Sequence, residues 1–285
     1  MIPASFDYES PRELTDVLAL LASREDAKVL AGGHSLLPAL KLRLAAPGLL
    51  VDLGRVTGLN YIREAGDRIR IGATTTHAEI AASGLLHAHS PLISQSAACI
   101  GDVQVRNRGT IGGSLAHADP AADYPAAILA LDAELVVMSQ KGERTIAARD
   151  FFTGLFATTL RPDELLTEVR IPVTNGAGVS YKKFAHPASG FAVVGVAAVV
   201  RMNGANIASA AVGVTGVAHC AYRASAVEKA LKGKPVSAIA AAAGHAADKV
   251  DALGDHFASA DYRRHIAVVY ARRALEEAVR GASGQ

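Results

Sequence analysis

Residues 28–35 read Lys-Val-Leu-Ala-Gly-Gly-His-Ser, a short apolar strand that runs directly into a pair of glycines. Gly32 and Gly33 carry no Cβ atom, so the backbone there can approach a diphosphate closely. Successive N–H groups in such a turn can form an anion-binding nest, and the Ser35 hydroxyl adds a hydrogen-bonding group. Taken alone, residues 31–35, the first glycine stretch, fit a plain strand-to-helix turn equally well.

A second stretch with the same composition follows at residues 108–114, Arg-Gly-Thr-Ile-Gly-Gly-Ser. Its paired glycines lie between the hydroxyls of Thr110 and Ser114, and residues 110–114 are called the second glycine stretch. Two such loops in one chain suggest two sides of one long polar ligand, such as a dinucleotide; the alternative is that both are plain turns. Neither loop has the GxGxxG pattern of a Rossmann site, and the chain has no GxxxxGK[ST] phosphate loop.

The sequence around the first glycine stretch predicts a small β–α–β–β unit. Ser10, Pro11 and Glu13 predict a capped helix start, and apolar residues then recur at helical spacing from Leu14 to Leu21. Two strands of this unit are predicted at Lys28–Ala31 and Leu49–Leu53.

The remaining chain changes from mixed short elements to strands followed by helices. Asn203-Gly204 is typical of a hairpin turn between two long strands. Strands followed by helices predict a separate α+β domain at the C-terminal end. The predicted strands are Ile69–Ala73, Glu134–Ser139, Arg144–Ala147, Leu165–Ile171, Val179–Ala185, Ala192–Arg201 and Ile207–Val214, and the predicted helices are Thr76–Ser83, Leu92–Ile100, Tyr124–Leu131, Ala224–Leu231, Val236–Ala247 and Ala260–Val279.

The run from His117 to Asp123 brings a histidine and two carboxylates together. The spacing matches no common metal signature, and no second cluster of this kind accompanies it, so a metal site is disfavoured. We interpret Asp123 as an acceptor for ligand hydroxyls. Alternatively, Asp119 and Asp123 cap the helix that starts at Tyr124, and the two carboxylates could divide these roles between them.

Lys183 is a further candidate. Alternation along a strand places Tyr181 and Lys183 on one face and Lys182 and Phe184 on the other. Lys183 could then reach a phosphate or a flavin carbonyl. A solvated lysine on a strand edge is the usual alternative.

Composition excludes several classes of protein. The chain has 285 residues, a net charge of +2 with scattered basic residues, and two cysteines. Such a charge pattern gives no nucleic-acid footprint. Cys99 and Cys220 cannot ligate an iron–sulfur cluster or a Cys-rich zinc site by themselves, and they fit a reducing compartment. No signal peptide or membrane-length apolar run is recognised, which predicts a cytoplasmic protein that could still dock on a membrane through a partner. A hydrolase would lack its GxSxG motif.

The chain resembles the medium, FAD-binding subunit of molybdenum hydroxylases, the group that includes xanthine dehydrogenase and aerobic carbon monoxide dehydrogenase. The matching text is AGGHSLLPALKLRLA from Ala31, IGDVQVRNRGTIGGSLAHADPAADYPA from Ile100 and DELLTEVRIP from Asp163. The resemblance extends over essentially the whole chain. It is nearest to the medium subunits of carbon monoxide dehydrogenases.

This resemblance implies an α+β fold. It consists of a two-subdomain FAD-binding domain of the p-cresol methylhydroxylase and vanillyl-alcohol oxidase type, followed by a C-terminal α+β domain with a three-stranded sheet and helices. The expected boundaries are 1–55 for the N-terminal FAD-binding subdomain, 56–175 for the second subdomain and 178–285 for the C-terminal domain.

The resemblance also implies a set of cofactor-binding residues and no catalytic or metal-binding residue. Ser114 stands where many relatives have Asn, which keeps a shorter polar contact. Gly190 stands where many relatives have Asp before an aromatic residue, which leaves that acid without a counterpart. The implied FAD contacts are Ala31, Gly32, Gly33, His34, Ser35, Thr110, Gly113, Ser114, Asp123, Leu166 and Lys183.

The implied function is electron transfer. The resemblance implies a small partner subunit with 2Fe–2S clusters that supplies electrons, and a large subunit with the molybdenum cofactor, assembled as a dimer of heterotrimers. The substrate would bind another chain, and quinone, NAD or oxygen could each be the acceptor. A stand-alone flavin-dependent oxidoreductase and a cofactor-free assembly module are the alternatives.

Overall fold

The computed structural model describes residues 2–282, and within that range it has three larger β-sheets, which follow one another along the chain, and a fourth sheet of only two short strands. The first sheet is parallel, with the strand order β1-β3-β2. Parallel neighbours need crossover connections, and two helices supply them. The elements are β1 (Asp7–Glu9), α1 (Leu14–Ser23), β2 (Ala27–Leu30), α2 (Leu36–Lys41) and β3 (Leu49–Asp52).

Helix α1 begins later than its sequence predicts. Its N-cap is Glu13, whose carbonyl accepts the first helical hydrogen bonds from Asp16 and Val17. The predicted capped start at Ser10 and Pro11 is therefore wrong. The apolar face is as predicted, because Val17, Leu18 and Leu21 are buried.

The second sheet is antiparallel and five-stranded, with the order β4-β5-β10-β6-β7. All strands and helices that the sequence predicts in this part are present, and six further elements were not predicted. The elements are β4 (Ile62–Ala65), β5 (Arg68–Gly72), α3 (His77–Ala82), α4 (Gly84–His89), α5 (Pro91–Ala98), α6 (Val103–Arg108), α7 (Ile111–His117), α8 (Tyr124–Ala130), β6 (Glu134–Ser139), β7 (Gly142–Ala147), β8 (Phe152–Gly154), β9 (Ala157–Thr158) and β10 (Leu165–Pro172).

The third sheet, called the C-terminal sheet, is antiparallel with the order β11-β12-β13-β14. It has four strands, so the expected three-stranded sheet is wrong by one short strand. That strand has two residues, too few for a periodic pattern. The elements are β11 (Gly178–Ala185), β12 (Ala192–Asn203), β13 (Asn206–Thr215), β14 (Tyr222–Arg223), α9 (Ser225–Leu231), α10 (Ile239–Ala243) and α11 (Ala260–Ala282).

The predicted hairpin between β12 and β13 is confirmed. Asn203 pairs with Asn206, so the turn is Gly204-Ala205, one residue later than predicted. The predicted helix at Val236–Ala247 is shorter, because a 3₁₀ turn at Val236–Ala238 precedes α10.

Helix α8 joins the second and third sheets. All seven of its residues are buried. An added Cβ on Gly213 of β13 would lie 2.0 Å from the Ala126 carbonyl oxygen, so helix and strand backbones touch there. In the described part of the chain, no helix combines the length and the apolar character needed to cross a membrane.

Candidate functional site

The structure brings the two glycine stretches together. An added Cβ on Gly32 would lie 2.2 Å from the Arg108 carbonyl oxygen and 2.7 Å from the Gly109 Cα atom. An added Cβ on Gly113 would lie 3.9 Å from the Ala31 Cβ atom. The turn after β2 therefore lies directly against Arg108 and Gly109, the residues that lead into the second stretch, and this contact holds the two stretches side by side.

The glycines of the two stretches have different roles. The sequence suggested only a close approach to a ligand, but one glycine is required by its backbone conformation and another by packing within the protein. Gly33 has a backbone φ of +76°, a conformation that residues with a side chain rarely adopt. An added Cβ on Gly112 would lie 2.6 Å from the Ala73 Cβ atom, so α7 needs this glycine to pack. Gly113 is exposed, and among the described residues its added Cβ would meet only Thr110 and Ala31. Gly113 is thus the glycine beside open space.

The first glycine stretch offers free hydrogen-bond donors. The N–H groups of Gly32, Gly33, His34 and Ser35 donate to no acceptor within residues 2–282. Ser35 is the N-cap of α2, and its hydroxyl makes no capping hydrogen bond there. His34 Nδ1 lies 3.0 Å from the Gly32 carbonyl oxygen, which holds the ring on the turn. Successive free donors of this kind are what an anion-binding nest requires.

The second glycine stretch is the start of helix α7, where the sequence suggested a loop. Thr110 is the N-cap. All four N–H groups that follow it donate within the protein, so the hydroxyls of Thr110 and Ser114 are what this stretch offers to a ligand. The acceptors are the Thr75 carbonyl for Ile111, the Ala73 carbonyl for Gly112, the Thr110 hydroxyl for Gly113 and the Thr110 carbonyl for Ser114.

His77 contacts Gly109, the residue that leads into the second stretch, and holds it in place. Sequence reasoning missed this role. The His77 N–H donates to the Gly109 carbonyl at 3.0 Å, and its Nδ1 lies 3.2 Å from the Tyr124 hydroxyl. An added Cβ on Gly109 would lie 2.5 Å from His77 Nε2. Burial, assisted by the charges of His34 and Arg106, lowers the pKa of His77 to about 4. The capping box at Thr76 and Glu79 was the available signal, because it fixes His77 at the first helical position.

We expect His77 to make the folded chain less stable in acid. Unfolded histidine takes up a proton near pH 6.5, whereas folded His77 stays neutral down to about pH 4. Its contribution is complete above pH 6.5 and is lost as the pH falls toward 4, by about 3 kcal/mol. Urea unfolding of the wild type and of His77→Gln across this window measures it. The variant should lose this part of the pH dependence, and equal slopes would contradict the assignment.

Asp123 lies at the N-terminal end of α8 without capping it. As far as residues 2–282 are concerned, its side chain makes no capping hydrogen bond. Asp119 does not cap α8 either, because its carboxylate accepts from the Ala121 N–H at 2.8 Å. The capping alternative is therefore wrong for both carboxylates. Instead, Asp123 accepts hydrogen bonds from the Tyr181 hydroxyl at 2.5 Å and from Lys183 Nζ at 2.8 Å.

Lys183 is buried rather than solvated at a strand edge. The side chains of Lys183 and Asp123 are 6% and 5% exposed, and Lys183 Nζ also donates to the Cys99 carbonyl at 2.9 Å. Burial raises the pKa of Asp123, while the Lys183 ammonium and the Tyr181 hydroxyl oppose that rise. The ion pair links the C-terminal sheet to the start of α8.

The predicted alternation along β11 is confirmed. Tyr181 and Lys183 face Asp123, whereas Lys182 forms an ion pair at 2.6 Å with Glu277 of α11. Phe184 is on the same side as Lys182, with its ring centroid 6.0 Å from that of Tyr270.

Leu166 lies deeper than the other predicted site residues. It pairs with Val137 just before an irregularity in β10. It is buried in the apolar cluster that also contains Ile111 and Leu115 of α7. His117, from the histidine–carboxylate run, packs its ring 5.1 Å from that of Phe156. Across residues 2–282, no three His, Cys, Asp or Glu side chains are grouped so that they could hold a metal ion.

Two known families match consecutive parts of the chain. Residues 4–174 match the FAD binding domain in molybdopterin dehydrogenase. Residues 179–278 match the CO dehydrogenase flavoprotein C-terminal domain. Together the matches include both glycine stretches, Asp123 and Lys183.

Individual relatives match over nearly their full length. The carbon monoxide dehydrogenase medium chain of Hydrogenophaga pseudoflava is 39% identical over 98% of both chains. That of Afipia carboxidovorans is 41% identical, also over 98% of both. A solved structure of reconstituted CO dehydrogenase from Oligotropha carboxidovorans contains a chain that is 40% identical, with a TM-score of 0.96 over 99% of this chain and 100% of that one.

Proposed function

This chain belongs to the family of FAD-binding medium subunits of molybdenum hydroxylases, and on that premise we propose that it binds FAD between the two glycine stretches and relays electrons. The chain is an FAD-binding oxidoreductase subunit. The observation that carries the proposed site is the row of four free N–H groups on the first stretch, set against the start of α7.

The residues present fit the diphosphate of FAD. Free backbone donors on Gly32, Gly33, His34 and Ser35 can neutralise the charge of the phosphates. The hydroxyls of Thr110 and Ser114 would add hydrogen bonds from the other side. Ala31 and Gly113 would face the ligand where the two stretches meet, since an added Cβ on Gly113 would lie in contact with the Ala31 Cβ atom, at 3.9 Å.

The remaining predicted contacts would lie toward the flavin. Asp123 can accept further hydrogen bonds from ligand hydroxyls, because a carboxylate has four lone-pair sites and two are used. Lys183 would place a positive charge near the ring, and Leu166 an apolar surface behind it. When bound, FAD supplies electron transfer in steps of one or two electrons. The chain's own residues bind and orient it.

The proposed partners are a small subunit with 2Fe–2S clusters, which donates electrons, and a large subunit with the molybdenum cofactor. We propose a dimer of these heterotrimers. Exposed apolar side chains near α2 support burial by partners, because Ile2, Leu42 and Leu44 are 81%, 53% and 79% exposed. The relatives are named medium chains, which also fits a multi-subunit complex.

We also propose three domains at residues 1–55, 56–175 and 178–285, and a cytoplasmic location. Three apolar clusters, each centred on one of the three larger sheets, support the division. The unpaired Cys99 and Cys220 support a reducing compartment.

Purification of the tagged chain from its native cells tests this function. We expect FAD in the complex, together with a Cys-rich chain that holds 2Fe–2S clusters and a chain that holds molybdenum. The chain produced alone is the control: it should bind added FAD without turning over a small substrate. Turnover by the isolated chain would favour a stand-alone oxidoreductase, and a chain that remains colourless with FAD would refute the proposal.

A further inference from the structure

Tyr181 reaches Asp123 through a gap that a glycine leaves in the C-terminal sheet. An added Cβ on Gly195 of β12 would lie only 2.4 Å from the Tyr181 hydroxyl. Glycine at this position therefore allows the hydroxyl to extend to Asp123 Oδ1, where it donates at 2.5 Å. Tyr181 is buried, so water does not compete for this carboxylate oxygen. The contact joins residues 58 positions apart.

The backbone just before Asp123 is held by the same sheet. Thr215 Oγ1 lies 2.8 Å from the carbonyl oxygens of Pro120 and Ala122. The N–H of Gly216 donates to Pro120 at 2.7 Å. Thr215 is fully buried. The loop that follows α7 is thus fixed against β13, and the Asp123 side chain is left to Tyr181 and Lys183.

This arrangement connects to the proposed FAD site on two sides. Asp123 directly precedes Tyr124, whose hydroxyl contacts His77 under the second glycine stretch. Lys183 donates to Cys99, and the next two carbonyls, of Ile100 and Gly101, accept from Arg106 of α6, the helix that leads into that stretch. Asp123 is therefore connected to the second glycine stretch in two ways: through its neighbour in the chain, Tyr124, and through its ion-pair partner, Lys183.

We propose that Tyr181 is a positioning residue of the flavin site: by donating to Asp123, it keeps the carboxylate between two donors and fixes the charge that bound FAD meets. This inference rests on the proposed function. Lys183 alone would neutralise the charge of Asp123, but the Oδ1 atom would then be buried without a hydrogen-bond donor. Without the hydroxyl, Lys183 still keeps the carboxylate ionised, but no donor offsets the negative charge on the Oδ1 side, so FAD meets a more negative group.

Tyr181→Phe tests the proposal in the purified complex. A more negative group beside the cofactor disfavours the electron-rich, reduced flavin more than the oxidised form. We expect the ratio of reduced to oxidised FAD dissociation constants to rise about tenfold, which lowers the midpoint potential by about 30 mV for a two-electron couple. The potential is measured by equilibration with redox dyes, and the oxidised dissociation constant by flavin fluorescence.

Tyr222→Phe is the matched control, because it removes a tyrosine hydroxyl of the same sheet that donates to Ala246 at 3.0 Å. It should leave the flavin potential unchanged. Gly195→Ala is a second variant, in which the added methyl displaces the Tyr181 hydroxyl, and it should reproduce the shift. An unchanged potential in both Tyr181→Phe and Gly195→Ala would overturn the inference while FAD binding persists. A wild-type complex without FAD would overturn the proposed function and this inference with it.

Discussion

Gly32→Ala is expected to weaken FAD binding by about 30-fold or more. The new methyl carbon would lie 2.2 Å from the Arg108 carbonyl oxygen, and backbone cannot turn aside as a flexible side chain can. The two glycine stretches would have to separate. Overpacking of this kind costs about 2–3 kcal/mol, which corresponds to about 30- to 150-fold in a dissociation constant. Titration with FAD, followed by quenching of flavin fluorescence, measures the change.

Gly84→Ala is the matched control for this prediction. It adds the same methyl group in helix α4, where the described residues leave an added Cβ without a neighbour within 4 Å. Its affinity for FAD should equal that of the wild type. Wild-type affinity in Gly32→Ala would show that the two stretches need not touch to hold the cofactor.

Gly113→Val separates loss of the ligand from loss of the fold in the same experiment. The side chain would project beside Ala31, into the gap between the stretches, with Thr110 as its other close neighbour. Ala116→Val, on an exposed position of the same helix, is its control. FAD binding should fall in Gly113→Val alone. Because the added Cβ would lie 2.9 Å from the Thr110 hydroxyl that caps α7, unfolding of both apo proteins is measured as well, and binding is compared under conditions in which both are folded.

Lys183→Met is expected to destabilise the apo chain by about 3–5 kcal/mol, because it leaves the Asp123 carboxylate buried without its counter-ion. The pair is almost completely buried, so solvent does not screen the loss. Urea unfolding measures the change. Lys182→Met, the neighbouring lysine, removes a partly exposed pair with Glu277 and should cost no more than about 1 kcal/mol.

The double variant Asp123→Asn/Lys183→Met extends this test. It removes both charges and keeps an oxygen that accepts from Tyr181, so most of the stability should return. FAD binding should remain weak, because the acid and the ammonium proposed to face the cofactor are both gone. Equal costs for Lys182→Met and Lys183→Met would contradict the buried ion pair as the cause.

The sequence predicted the strands and helices that have a clear local pattern of apolar and turn residues. Glu134–Ser139 was predicted with the observed bounds of β6, because apolar residues and flanking turn residues define it. Helix α7 was missed because Gly112 and Gly113 suggested a loop, whereas packing on Ala73 requires a glycine inside the helix. Strand β14 was missed because two residues are too few to show the alternation of apolar and polar residues that identifies a strand.

The candidate site divides in the same way. The first glycine stretch, with its free donors, is a local feature that the sequence predicted. The surroundings of Asp123 were not predictable, because Tyr181 and Lys183 lie about 60 residues further along the chain. Burial of Lys183 depends on which carboxylate the folded chain brings to it, and no local pattern contains that information.

The pairing of Asp123 with residues of the C-terminal sheet has a consequence for the order of events during synthesis. Chains emerge from the ribosome with the N-terminal end first, so both glycine stretches are complete before Tyr181 and Lys183 have been made. During that interval Asp123 lacks both of its donors and its counter-ion. The site reaches its final charge only after residues 178–185 of the C-terminal sheet have been made and have packed against Asp123.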